Sequence, residues 1–114
     1  MSSRDPQLLL QDIIESSNKI LSYTERLSYE EFVEDGKTVD AVIRNFEIIG
    51  EAANRLPEEI RTQNPNIDWQ RIRGFRNRIV HDYFGIDNKI VWLVKEQFLS
   101  TLITEIKDIL GKIN

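Results

Sequence analysis

Apolar residues in the first half of the chain recur every three or four positions, which is the spacing of one face of an α-helix. The first such segment predicts a helix over residues 6–27, with Asp5 as its N-cap and Pro6 at the first helical position. A second segment predicts a helix over residues 38–56. Within that helix Gly50 costs on the order of 1 kcal/mol relative to alanine, so we expect it to permit the close approach of a neighbouring helix.

Turn and capping residues predict shorter elements between the long helices. Ser28 and Glu31 have the spacing of a capping box and predict a short helical turn, which Gly36 ends. Pro57 breaks the second long helix and is suited to begin another short one over residues 58–63.

Two further long helices are predicted in the second half. Asp68 is a suitable N-cap for a helix over residues 69–83, and Asp87 caps one over residues 88–112. The last helix has its predicted apolar face at Ile90, Val91, Leu93, Val94, Phe98, Leu102, Ile106, Ile109 and Leu110. The chain has no internal repeat or linker. It therefore predicts an all-α bundle of four main helices with one or two short helices, in a single domain spanning residues 1–114.

Composition limits the classes of protein to which the chain can belong. Of its 114 residues, 40% are hydrophobic and 30% are charged, as in a globular domain. The absence of cysteine excludes disulfides and a cysteine-based zinc site, and the single histidine and scattered acids lack metal-ligand spacing. No apolar run is long enough to span a bilayer, and residues 1–6 lack the apolar core of a signal peptide. We expect a cytoplasmic protein without a membrane partner.

The net charge is −4 and the pI is about 5.0, so the protein lacks a global basic field for nucleic acid. Any site for an anion or RNA must therefore be local. One segment qualifies, since no acidic residue lies between Trp69 and His81. Its four arginines fall within eight residues, at Arg71, Arg73, Arg76 and Arg78.

The same predicted helix carries the only histidine of the chain, His81. At about 100° per residue, Arg76 and Tyr83 share one face of an ideal helix, and Asn77 lies one turn before His81. Arg76 and His81 point about 140° apart. Both can contact one small ligand only if the helix distorts, if the long arginine side chain closes the gap, or if a second copy supplies half of the site.

These residue types suit metal-free cleavage of RNA. Histidine can take the proton of the 2′-hydroxyl as a base or protonate the leaving 5′-oxygen as an acid, because its unperturbed pKa is about 6.5. A guanidinium can hold the phosphate and stabilise developing charge. A mechanism with two histidines would require a homodimer in which two copies of His81 and of Arg76 face each other across a cleft.

Spacing alone leaves structural interpretations open. A single histidine near a helix C-terminus is often a surface residue stabilised by the helix dipole. Arginine clusters often pair with acids, here Glu47 or Glu51. A plain helical interaction protein would instead bind a partner through the last helix, including Trp92 and Phe98.

The segment from Arg76 to Tyr83 resembles the R-x4-H-x-Y signature of HepT-like toxins in the HEPN superfamily. The resemblance extends over nearly the whole chain. It includes the chain length, the Arg-Asp-Pro start at residues 4–6, the Ile-Gly-Glu-Ala-Ala segment at residues 49–53 and the helix over residues 69–83. The motif itself has no departure from the family pattern.

This resemblance implies an all-helical homodimer that acts as a metal-independent endoribonuclease without a cofactor. Arg76 and His81 would be the catalytic pair. Asn77, Arg73 and Arg78 would support the active site.

The resemblance also implies a partner and a modification. HepT-like toxins are paired with a nucleotidyltransferase antitoxin of the MntA kind, in a type VII-like toxin–antitoxin system. That antitoxin transfers AMP from ATP to the motif tyrosine, here Tyr83. The added phosphate would occupy the anion site and repel RNA. The alternative is that the chain is a non-catalytic helical partner or substrate of a nucleotidyltransferase.

Overall fold

The computed structural model describes residues 5–113, so Arg4 of the predicted helix start lies outside the described residues. Helix α1 spans Pro6–Thr24, and the Asp5 side chain accepts a hydrogen bond from the Gln7 amide at 2.8 Å. The helix ends three residues before the predicted Leu27. The buried Thr24 hydroxyl donates to the Ile20 carbonyl at 2.8 Å, and the Leu27 amide closes a turn onto the Thr24 carbonyl at 3.0 Å. This local bonding replaces the next helical turn.

Helix α2 spans Tyr29–Glu34 and begins with the predicted capping box. The Glu31 amide donates to Ser28 Oγ at 3.1 Å, and the Ser28 amide donates to Glu31 Oε1 at 2.9 Å. Helix α3 spans Gly36–Arg55 and begins two residues earlier than predicted, because Asp35 caps it. The Asp35 carboxylate accepts hydrogen bonds from the Thr38 amide at 3.2 Å and from its hydroxyl at 2.7 Å.

Each remaining helix begins directly after the residue predicted to start it. Helix α4 spans Glu58–Gln63, α5 spans Trp69–His81 and α6 spans Asn88–Ile113. The Arg71 amide donates to Asp68 Oδ1 at 3.0 Å, and the Lys89 amide donates to Asp87 Oδ1 at 2.8 Å. The predicted all-α architecture, with four main and two short helices, is thus confirmed for residues 5–113, where the structure has no strand.

The four long helices enclose one apolar core. Helix α1 packs against both α3 and α6, and α3 also packs against α5. A groove lies between α5 and α6. Fully or nearly fully buried core residues come from all four helices and include Leu10, Ile13, Ile20, Phe46, Ile79, Val91, Leu99, Leu102 and Ile106.

The predicted apolar face of α6 is partly wrong. Ile90 and Leu93 are exposed, whereas Leu99, Ile103 and Lys95 are buried. The N-terminal part of α6 is apolar on most sides, so its sequence alone leaves the buried direction ambiguous. Burial of Lys95 is compensated by a 3.1 Å ion pair with Glu96 and by the Trp92 ring, whose centroid lies 3.5 Å from Nζ.

No helix among the described residues has the length and apolar character required to cross a membrane.

Candidate active site

The motif helix ends earlier than predicted. Helix α5 stops at His81, and Tyr83–Gly85 form a separate 3₁₀ turn. Asp82 makes this break: its amide closes α5 on the Arg78 carbonyl at 3.0 Å, and its carboxylate accepts from the Gly85 amide at 3.1 Å. A side chain at Gly85 would overlap that carboxylate. Contrary to the sequence prediction, Tyr83 is therefore not part of the same helix as Arg76, but both side chains still contact α3.

Arg76 lies against α3. One of its terminal nitrogens, Nη2, forms an ion pair and hydrogen bond with Glu51, and Nη1 donates to Asn77 Oδ1 at 3.2 Å. The side chain is 24% exposed. Gly50 makes this arrangement possible, since a Cβ at that position would overlap Cβ and Cγ of Arg76. The predicted packing role of Gly50 is confirmed.

The four arginines do not form one basic patch. Arg73 faces α3, where its Nε donates to Asn54 Oδ1 at 2.7 Å. Arg71 and Arg78 line the groove between α5 and α6, and the Arg71 guanidinium lies 5.5 Å from the Phe98 ring centroid. The helical period separates the two pairs on opposite sides of α5. Arg78 is thus not beside Arg76, although both were assigned to one site from the sequence.

His81 is the exposed last residue of α5. Its side chain makes no hydrogen bond or ion pair with any residue in the described range 5–113, so its ring nitrogens remain available to a ligand. No contact joins it to Arg76. The helix within one chain therefore places the guanidinium beside α3 and the imidazole at the helix end, on a different side.

Tyr83 is also exposed, but it contacts α3. Its hydroxyl donates to Asp40 Oδ1 at 3.1 Å. Partial burial, the hydrogen bond to Asp40 and the negative charges of Asp40 and Glu47 raise the pKa of Tyr83 above its ordinary value of 10.0. The phenol is therefore held in its neutral form.

Three residues of α3 complete the site, and sequence reasoning did not assign a functional role to any of them. Asp40 contacts Tyr83, Glu51 contacts Arg76 and Asn54 contacts Arg73. With Glu47, they follow one another at intervals of seven, four and three residues, which places all four on one side of a helix. This polar stripe was visible in the sequence, but the sequence could not reveal that α5 packs on it.

The interpretation of the arginines as ion-pair partners of Glu47 and Glu51 is correct for one contact. Glu51 pairs with Arg76 of α5. Glu47 instead pairs with Arg44 of its own helix, at 3.2 Å. The site is therefore less basic than its arginine content suggests.

Exposed apolar side chains occur at the end of α5, in the 3₁₀ turn and at the start of α6. Phe84 is 98% exposed, and Val80, Ile90 and Leu93 are also exposed. The groove between α5 and α6 adds about 280 Å³ of space with mostly apolar walls that include Phe46, Phe75 and Phe98. Grooves with apolar walls are typical of binding sites.

No three acidic or histidine side chains gather into a possible metal site within residues 5–113.

Comparison with known proteins assigns the chain to a family. The model of the family described as "Ribonuclease HepT-like" matches residues 13–109. A "Putative RNase" of Methanocaldococcus jannaschii is 35% identical over 113 residues, which cover 99% of this chain and 93% of that protein. A "Probable ribonuclease HepT" of Thermococcus cleftensis is 39% identical over 92 residues, which cover 80% and 84%.

The chain therefore belongs to the ribonuclease HepT-like family. A second "Putative RNase" of Methanocaldococcus jannaschii is 42% identical over 97 residues, or 84% of this chain and 89% of that protein. No solved structure gives a significant match.

Proposed function

We propose that this protein is an endoribonuclease that cleaves RNA without a metal ion, with Arg76 and His81 as its catalytic residues. One observation carries the proposal: Arg76 is held by Glu51 and Asn77, while the imidazole of His81 has no partner among the described residues and lies at the end of the same helix. The names of the relatives as ribonucleases support the same activity.

The reaction divides into two proton transfers. A base removes the proton of the ribose 2′-hydroxyl, whose oxygen attacks the adjacent phosphorus. The bond from phosphorus to the 5′-oxygen breaks, and an acid protonates that leaving oxygen. His81 supplies this acid–base chemistry, and Arg76 stabilises the added charge on the phosphate oxygens.

We further propose that the active site is completed in a homodimer. Each chain has one histidine, whereas the reaction uses one base and one acid. Within one chain Arg76 and His81 lie on different sides of α5. Val80 lies within the motif and Phe84 directly follows it, and these two exposed apolar side chains support contact between two copies at this end of the molecule.

Control by AMPylation of Tyr83 is part of the same proposal. A nucleotidyltransferase antitoxin would present ATP, the Tyr83 oxygen would attack the α-phosphorus, and pyrophosphate would leave as the phenol loses its proton. The exposed position of Tyr83 supports this role, as does its location two residues after His81. The resulting phosphodiester would add bulk and negative charge beside the catalytic residues and so exclude RNA. The chain would then be the toxin of a toxin–antitoxin pair.

A second candidate function has one observation in its favour. The ion pair with Glu51 already neutralises Arg76, as expected if this arginine served only to join α5 to α3. The chain would then be a non-catalytic partner or substrate of a nucleotidyltransferase. Tyr83 would still be modified, but the unmodified protein would not cleave RNA.

Cleavage assays on unmodified protein separate the two functions. We expect the wild-type protein to cleave single-stranded RNA in the presence of EDTA, and we expect His81→Ala and Arg76→Ala to abolish cleavage while the dimer and the fold persist. Full activity of folded His81→Ala protein would overturn the catalytic assignment. Intact mass after co-expression with the nucleotidyltransferase, in wild-type and Tyr83→Phe proteins, tests the modification separately.

A further inference from the structure

We propose that Glu51 is a positioning residue that orients the guanidinium of Arg76 toward the scissile phosphate. The inference rests on the proposed ribonuclease function. It assigns a role to a residue outside the Arg–His–Tyr motif, on a different helix.

The first constraint on Arg76 is its close contact with the backbone of α3 at Gly50. Gly50 brings α3 so close to α5 that no Cβ fits between the helix and Arg76. The next residue on α3, Glu51, then meets the guanidinium directly. Since Arg76 is fixed at its Cβ by Gly50 and at its tip by Glu51, both ends of a long and otherwise flexible side chain are held.

The hydrogen bonds of Arg76 determine which part of the group remains available. Nη2 is bonded to Glu51 and Nη1 to Asn77, and the buried Nε has no partner among the described residues. A guanidinium has five N–H donors, two of them on each terminal nitrogen. One donor therefore remains on each terminal nitrogen, and these two are the donors that a phosphate can reach.

This placement has opposite effects on RNA binding and on turnover. The carboxylate of Glu51 repels a phosphate, so it weakens binding of the substrate. It also fixes the direction of the guanidinium, and catalysis depends on donors that already point to the developing charge. Removal of Glu51 should therefore lower kcat while KM stays the same or falls.

A role in stability alone predicts a different result. If Glu51 only joined α3 to α5, its removal would lower the melting temperature and the fraction of folded protein, but kcat per folded molecule and KM would stay the same. If Glu51 instead inhibited the enzyme by occupying Arg76, its removal would raise kcat.

The experiment compares wild-type protein with Glu51→Ala, Glu51→Gln and the control Glu47→Ala in steady-state cleavage of a fluorescent RNA. Glu47 lies one turn earlier on α3 and pairs with Arg44, so it matches Glu51 in chemistry without contacting Arg76. We expect kcat to fall by a factor on the order of 10 to 100 in Glu51→Ala, with KM unchanged or lower. Glu51→Gln retains an oxygen that accepts the bond from Nη2 and should keep kcat within about threefold. Glu47→Ala should behave as wild type.

A second measurement does not depend on cleavage. The ¹⁵N–¹H nuclear Overhauser effect of Arg76 Nε, assigned by its loss in Arg76→Lys, reports the rigidity of the side chain. We expect a rigid Nε in wild type and Glu51→Gln and a mobile one in Glu51→Ala. A rigid Nε in Glu51→Ala would overturn the inference, as would an unchanged or increased kcat. If wild-type protein cleaves no RNA, the proposed function fails, and the rigidity of Arg76 still decides whether Glu51 positions it.

Discussion

Gly50 of α3 lies directly against the Cβ of Arg76 on α5, with no room for a methyl group between them. This contact places the arginine of the motif next to Glu51. It also explains why a glycine occupies the interior of a helix, where alanine is intrinsically preferred.

Replacement of Gly50 by alanine should therefore destabilise the protein. The overlap with Arg76 forces α3 and α5 apart, and such overpacking costs about 1 to 3 kcal/mol. The gain in helix propensity offsets up to about 1 kcal/mol of this. Urea denaturation measures the difference in the free energy of unfolding. The control is Gly111→Ala in α6, where a Cβ meets nothing within 4 Å and stability should stay the same or rise. Equal stability gains in both variants would contradict the close contact.

Arg76→Lys should remove RNA cleavage, although it preserves the charge. Lysine cannot bond Glu51, Asn77 and a phosphate at once in the planar geometry of a guanidinium. We expect a loss of at least about a hundredfold in kcat, comparable to the removal of one oxyanion donor. Arg71→Lys is the matched control, since Arg71 lies on the opposite side of α5, in the groove. Activity that survived in Arg76→Lys would contradict the catalytic role proposed for Arg76.

The phenol of Tyr83 should titrate at a higher pH than an ordinary tyrosine. Its pKa is raised by burial first, and then by the hydrogen bond and charge of Asp40. Because the folded protein binds this proton more tightly, the resulting stability is fully present below pH 10 and is lost as the pH rises through the folded pKa.

Ultraviolet difference titration at alkaline pH measures this pKa, with Tyr83→Phe identifying the signal among the three tyrosines. Asp40→Asn should lower the midpoint, though not fully to the ordinary value, because burial remains. An unchanged midpoint in Asp40→Asn would contradict the contact between α3 and the 3₁₀ turn.

Phe84→Ser should weaken the proposed homodimer without unfolding the chain. The ring is 98% exposed in the single chain and contacts the neighbouring Tyr83 ring, 5.4 Å away between centroids, so its loss removes no contact with the core. If the ring is buried between two copies, the dissociation constant should rise at least tenfold, which corresponds to about 1.4 kcal/mol. Analytical ultracentrifugation over a concentration series measures the dissociation constant of the dimer. Tyr23→Ser serves as a control, since Tyr23 is an exposed aromatic on α1. A dimer equally stable in both variants would place the interface elsewhere.

The sequence by itself determined the local features of this protein. Asp5, Ser28, Asp68 and Asp87 each cap the helix that they were predicted to cap, because a capping side chain bonds amides only two or three residues away. The all-α class followed from the same short-range periodicity. The motif from Arg76 to Tyr83 placed the chain in its family, which the comparisons confirm.

Only the tertiary structure decided what each motif residue faces. Arg73 and Arg76 are turned to α3, while Arg71 and Arg78 are turned to the groove. Asp82 ends the helix, and the turn that follows places Tyr83 against Asp40, a residue 43 positions away in the chain. Such contacts depend on how two helices are rotated and how closely they approach, and that is set by packing across the whole core. A helical pattern fixes which residues share a side, but it does not identify the neighbour that this side meets.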